Sequence, residues 1–126
     1  MATKVDISSL EGWLVKKRGH GKQKVLGILS GDAKRWFQVK ELVSSDRVDI
    51  TLCYFKSQHE TEARGWIYLK DVTELYEDGK TITIVSMART ITIEAKSRAE
   101  HKFWLDGISL LCPFANLKNQ GNEQFS

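Results

Sequence analysis

From Val48 to Lys56 the chain reads VDITLCYFK, with Val48, Ile50, Leu52 and Tyr54 on every second position. A period of two gives a strand one apolar face. TITIVS at 81–86 and RTITIEA at 89–95 alternate Thr with Ile, and β-branched side chains suit a pleated surface. Met87-Ala88 joins these two runs, and Asp78-Gly79 ahead of them is a hairpin turn signal. Four more runs read as strands. They are GWLVKK (Gly12 to Lys17), KRWFQVKELV (Lys34 to Val43), GWIYLKDV (Gly65 to Val72) and a weaker VTELY. In GWIYLKDV, Trp66, Tyr68 and Lys70 lie opposite Ile67 and Leu69. Ser44 to Asp46 supplies a turn, and 57–63 a polar loop.

The period then changes. SRAEHKFWLDGISLLC places Phe103, Trp104, Ile108, Leu111 and Cys112 at offsets of three and four, with Leu105 and Leu110 alongside, which predicts an amphipathic helix. Ser97 with Glu100 three residues on is a capping-box signature, and Pro113 stops the helix. The remaining FANLKNQGNEQFS is polar and is expected to fray. The fold class is therefore mostly β: a seven-stranded antiparallel sandwich or barrel, capped at one open end by one C-terminal α-helix. Trp104 lies on the apolar stripe of that helix and is expected in the core. Residues 1–9 read as an N-terminal extension, 10–112 as the domain and 113–126 as a tail.

A chain of 126 residues suits one domain with its own core, and 41% hydrophobic with 28% charged residues is ordinary globular composition. No apolar run approaches the ~18 residues of a membrane span. The opening MATKVDISSLEG has no apolar signal core. Cys53 and Cys112 are far apart, without CxxC or a histidine pair, and read as two buried thiols in a reducing compartment. No metal or cofactor is expected.

Charge changes the picture more. Gly12 to Lys40 holds eight basic residues (Lys16, Lys17, Arg18, Lys22, Lys24, Lys34, Arg35, Lys40) and one acid, Asp32, a net +7 in a chain of +3 overall. A basic end on a nearly neutral domain points to an anionic partner. Within it, KVLGILSG (Lys24 to Gly31) carries Val25, Leu26, Ile28 and Leu29 in a stretch otherwise polar and glycine-rich. Two readings stand: the aliphatic residues fold back as an extension of the first hairpin, or they are held out for insertion elsewhere.

EGWLVKK, KRWFQV and RGWIYLKDV, followed by a terminal helix with Trp104 four residues after Glu100, resemble in order the strands and tryptophan helix of pleckstrin-homology (PH) domains. The resemblance covers about Leu10 to Leu111. It implies a PH-like sandwich whose ligand site lies at the open end, between the first and third interstrand loops, and it implies phosphoinositides as one ligand class. Lys16 matches the family's Lys near the end of the first strand, and Arg35 matches the Arg at the start of the second. Ala33, preceded by Asp32, replaces the first basic residue of the family's pair. Lys34 is basic, but alternation turns it to the opposite face from Ala33 and Arg35. The broken signature argues against a stereospecific polyphosphate pocket, since ring phosphates are gripped by several charge-assisted bonds together. With the aliphatic loop, it resembles the family's phosphatidic-acid sensors, the acylated branch of apicomplexan parasites among them.

The function expected on this basis is membrane recruitment. Lys16, Lys17, Arg18, Lys22, Lys24, Lys34 and Arg35 would bind an anionic head group, of phosphatidic acid or a phosphoinositide, and Val25, Leu26, Ile28 and Leu29 would enter the membrane. Arg47, Lys56 and Arg64 would border the neighbouring loop and add contacts. The protein would be a monomer, cytoplasmic and peripheral on the cytosolic face of a membrane. The alternative is a protein-interaction module with the same fold and no specific lipid, with Trp66 and Tyr68 as an aromatic patch. No enzyme is expected: His20 and His59 lie in loops, His101 is assigned to the polar side of the helix, and no nucleophile, phosphate-loop or dinucleotide motif is present. No nucleic acid is expected either, because Trp13, Trp36 and Phe37 are assigned to the core.

Overall fold

The structure, a computed structural model, describes residues 9–17 and 32–119. Its elements are β1 (Glu11–Lys16), β2 (Ala33–Val43), β3 (Val48–Phe55), β4 (Gly65–Tyr68), β5 (Val72–Glu77), β6 (Thr81–Ser86), β7 (Thr90–Glu94), α1 (Arg98–Leu111) and β8 (Asn116–Asn119). A single 3-10 turn, Leu69–Asp71, joins β4 to β5 and ends the fourth strand earlier than the sequence suggests. The strands hydrogen-bond in the order β4-β3-β2-β1-β7-β6-β5-β8. All pairs are antiparallel except β5 with β8. The architecture is the expected one, mostly β with one C-terminal helix, and the sheet gains an eighth strand from the tail expected to fray.

Alternation builds the core. Ile82, Ile84, Ile91 and Ile93 are buried while the threonines between them face outward, Thr83 and Thr92 hydroxyls meeting at 2.9 Å. In β5 the two-residue period fails: Val72 and Leu75, three apart, are both buried. A register shift between Val72 and Glu74 explains this, since a bulge re-aims the residues beyond it. Leu14, Phe37, Val39, Leu52 and Ile67 complete the strand side of the core.

Helix α1 closes the core with His101, Trp104, Gly107 and Ile108. The Ser97 hydroxyl accepts the Glu100 N–H at 3.1 Å, as the capping signature predicts. Phe103, placed on the stripe by the sequence, is exposed, and His101 takes the inner position instead. Its Nε2 lies 2.9 Å from Glu77 Oε1, so a polar partner on β5 makes the burial tolerable. Gly107 costs helix propensity, yet a Cβ there would stand 2.5 Å from Leu10 Cδ2. The missing side chain is the space Leu10 fills. Both cysteines are buried and unbonded to each other, and burial pushes the Cys112 thiol up to about 12.

Candidate functional site at the β1–β2 loop end of the sheet

Antiparallel register brings the ends of β1 and β2 together, Lys16 opposite Ala33 and Leu14 opposite Arg35. Residues directly opposite share a face. Leu14 is buried, so Lys16 and Arg35 both lie on the core-facing side, at the end where the chain leaves for residues 18–31. The loop between β3 and β4 is at this same end, because Trp36 near the start of β2 pairs with Phe55 at the end of β3.

Two residues that sequence reasoning gave no role complete the cluster. Tyr54 packs its ring 5.4 Å from Phe37, and Lys16 Nζ lies 5.2 Å from the centre of the Tyr54 ring. Arg89, from the turn between β6 and β7, donates from Nη1 to the Tyr54 hydroxyl at 3.3 Å. This contact needs Gly65, opposite Tyr54 in β4. A Cβ at Gly65 would stand 2.5 Å from the Tyr54 hydroxyl and 2.6 Å from Arg89 Nη1. Three cationic side chains thus come from three strand ends to one rim: Lys16 and Arg89 around the Tyr54 ring, and Arg35 half-buried on the same inner face. Tyr54 was legible as an apolar-face residue, and Arg89 as the first residue of a strand run. Only the fold brings them together.

The other candidate residues divide. Lys34 is exposed and opposite Val15, on the outer face, as alternation predicts. Lys17 is also directed outward. Its Nζ is 3.1 Å from Glu94 and 3.2 Å from Asp32, and the hydrogen bond to Glu94, with a second to Asp32, raises its pKa. Asp32 therefore bears on Lys17. Arg18, Lys22, Lys24, Val25, Leu26, Ile28 and Leu29 lie outside the described residues. Arg47 does not border the site: it follows β2, at the opposite end of the sheet, and pairs with Asp49 at 3.3 Å. Arg64 does flank the β3–β4 loop, paired with Glu60 at 3.5 Å, and Lys56 follows β3.

The tryptophans correct the sequence reading. Phe37 is in the core, but its neighbour Trp36 and the paired Trp13 must then face outward. Trp13 is 39% exposed and meets Trp36 edge-on at 5.5 Å; Trp66 is 48% exposed on the same outer face. Phe55 continues the row and is covered, with Lys40 Nζ 5.5 Å from its ring centre. Among the described residues, no group of His, Cys, Asp and Glu could hold a metal, and no helix is long and apolar enough to cross a membrane.

An open eight-stranded sheet closed by a C-terminal tryptophan helix defines a mostly β class of small domain. The PH-domain family model matches residues 9–113, and the chain belongs to the PH-domain family. Its fold is shared with solved structures at low identity. The human N-terminal PH domain of ARAP2 has a TM-score of 0.62 and 18% identity, covering 89% of this chain and 85% of that one. The human PH domain of TBC1 domain family member 2 has a TM-score of 0.60 and 20% identity, covering 87% and 85%. The C-terminal PH domain of pleckstrin, solved with D-myo-Ins(1,2,3,4,5)P5, has a TM-score of 0.59 and 17% identity, covering 80% and 94%. No curated protein matches the chain, and nothing in these comparisons supports placing it with the acylated sensors of apicomplexan parasites.

Proposed function

We propose that this PH domain recruits its protein to the cytosolic face of a membrane by binding the phosphate head group of an anionic phospholipid, phosphatidic acid or a phosphoinositide. The observation that carries this reading is that Lys16 and Arg89 meet at Tyr54, with Arg35 on the same inner face at the start of β2. A phosphate monoester accepts several charge-assisted hydrogen bonds at once, and cations from three elements at one end of the sheet are the donors it would need. The Tyr54 ring holds Lys16 and the Tyr54 hydroxyl holds Arg89, so less side-chain entropy is lost on binding. Pleckstrin's C-terminal PH domain, which shares the fold, was solved with an inositol pentakisphosphate.

Lys34, exposed on the outer face, contributes through the general attraction of a basic surface to an anionic leaflet, about 1 kcal/mol near the membrane. The sequence of residues 24–31 adds insertion: Val25, Leu26, Ile28 and Leu29 connect the strands that carry Lys16 and Arg35. Head-group capture plus apolar insertion holds a peripheral domain where either alone is weak. The test is co-sedimentation of the Leu26→Asp, Leu29→Asp double variant with phosphatidic acid vesicles. Lost binding with an unchanged fold supports insertion, and retained binding removes it.

A second reading is favoured by a different observation. Trp13 and Trp66 are exposed on the outer face of the β1–β4 strands, with Trp36 against Trp13, and exposed aromatics on a rigid sheet are interface chemistry. A protein partner on that face would be lost in Trp13→Ala and Trp66→Ala variants that still bind vesicles.

A further inference from the structure

The outer edge of β5 carries Asn116–Asn119 in parallel, pairing Glu74 with Asn116, Leu75 with Leu117, Tyr76 with Lys118 and Glu77 with Asn119. We propose that this edge is a strand-acceptor site for an extended basic segment of a protein partner, and that the chain's own residues 116–119 fill it in the free protein.

Three observations carry the inference. First, β8 is held without burial. Asn116 and Lys118 are exposed, and Leu117 is 53% exposed. The main-chain bonds of an added strand do not depend on its sequence, so this edge accepts other segments of similar shape.

Second, the side-chain recognition in the pairing is for a cation. Lys118 Nζ lies 3.5 Å from Glu74 Oε2 and 5.8 Å from the centre of the Tyr76 ring. The Tyr76 hydroxyl donates to the other Glu74 oxygen, which fixes the carboxylate beside the ring. In a chain of net +3, β5 and its following turn carry Glu74, Glu77 and Asp78. Glu77 is held by His101 and Asp78 by the Lys80 and Thr81 amides, so Glu74 is the carboxylate that meets the added strand, and it complements a segment with Lys or Arg at the place opposite Tyr76.

Third, the resident strand is tethered closely. Residues 112–115 alone separate α1 from β8. A short tether gives an effective concentration in the millimolar range, so weak intrinsic affinity is enough to fill the site. A partner segment with flanking contacts can displace it. Leu110 at the end of α1 and Phe114 within the tether, 63% and 72% exposed, offer such contacts.

The test uses the full chain, 15N-labelled, as wild type and as Lys118→Glu. The substitution sets a carboxylate against Glu74 and loosens the resident strand. Each is titrated with a blocked peptide of residues 114–120, FANLKNQ, and with a control peptide carrying Glu in place of its Lys. The expected result is that β5 amides of Lys118→Glu shift at about tenfold lower peptide concentration than in wild type, with the control peptide about tenfold weaker. Equal titration of the two proteins, or no shift at β5 in Lys118→Glu up to several millimolar, overturns the proposal. A concentration-dependent dimer that takes up no peptide also overturns it, by assigning the edge to a second copy.

Discussion

Lys16 and Lys17 are adjacent and chemically identical, yet they belong to two different surfaces. Lys16 turns inward at the rim, over Tyr54, with Arg35 on the same face and Arg89 at the Tyr54 hydroxyl. Lys17 turns outward and is held between Glu94 and Asp32. The rim has cations from β1, β2 and the β6–β7 turn, and Tyr54 holds two of them, Lys16 and Arg89. On the outer face Glu94 and Asp32 neutralise Lys17, while Lys34 stays exposed. A net charge counted along a segment therefore overstates what is available to a ligand. Strand alternation and cross-strand pairing decide which part of it converges.

The comparison breaks most sharply at Gly65. Gly65→Val puts branched atoms where even a Cβ stands 2.5 Å from the Tyr54 hydroxyl. The expected cost is about 1–3 kcal/mol of stability by overpacking. Vesicle binding should also fall sharply, as Arg89 is displaced. Chemical denaturation together with co-sedimentation measures both. Unchanged vesicle binding in a folded Gly65→Val protein would remove Tyr54 and Arg89 from the site.

Arg89→Ala comes next. A hydrogen bond to a charged group contributes about 1.5–3 kcal/mol, so affinity for phosphate-bearing vesicles should fall roughly 10- to 100-fold with the melting temperature little changed. Equal losses in Arg89→Ala and Lys34→Ala would mean that the rim acts only as diffuse charge.

Glu94→Gln sharpens the contrast from the other side. It frees Lys17 from its first partner and should raise binding to anionic vesicles about fivefold, at about 1 kcal/mol per exposed cation. Stability should drop by less than about 1 kcal/mol, because partly exposed pairs are weak. Unchanged vesicle binding would show that Lys17 does not face the membrane.

The smallest effect is in pH. The folded-state pKa of Lys17 is raised, first by Glu94 and then by Asp32. Its contribution is fully present below the unfolded value of about 10.4 and is lost as pH rises through the raised folded value. Wild type should lose slightly more stability on the alkaline limb than Lys17→Met. Identical alkaline limbs would show the pairing to be energetically neutral.

Much of the fold is legible in the sequence because its signals are local. Thr-Ile alternation, the Asp78-Gly79 turn and the Ser97 cap each act within a few residues, and all three appear where the pattern puts them. Strand β8 is not legible, because NLKN has little strand preference and becomes a strand by pairing with β5, some forty residues away. The tryptophans are misread because hydrophobicity does not report direction. Trp36 and Phe37 are adjacent, so only one can face the core, and the burial of Leu14 and Val39 decides for Phe37. In the site, Lys16 and Arg35 follow from the family resemblance. Tyr54, Gly65 and Arg89 do not, since their association depends on three separate connections meeting at one end of the sheet.

The central claim, that the inner rim is a defined phosphate site, is tested most directly by comparing Arg35→Ala with Lys34→Ala in co-sedimentation at physiological salt. The vesicles should have equal surface charge and be made with phosphatidic acid, phosphatidylserine or phosphoinositide. These neighbours carry the same charge on opposite faces of one strand. The account predicts that Arg35→Ala loses at least about tenfold in affinity and with it any preference among the lipids, while Lys34→Ala loses about fivefold or less and keeps that preference. Equal losses, with no lipid preferred at matched charge, would contradict it.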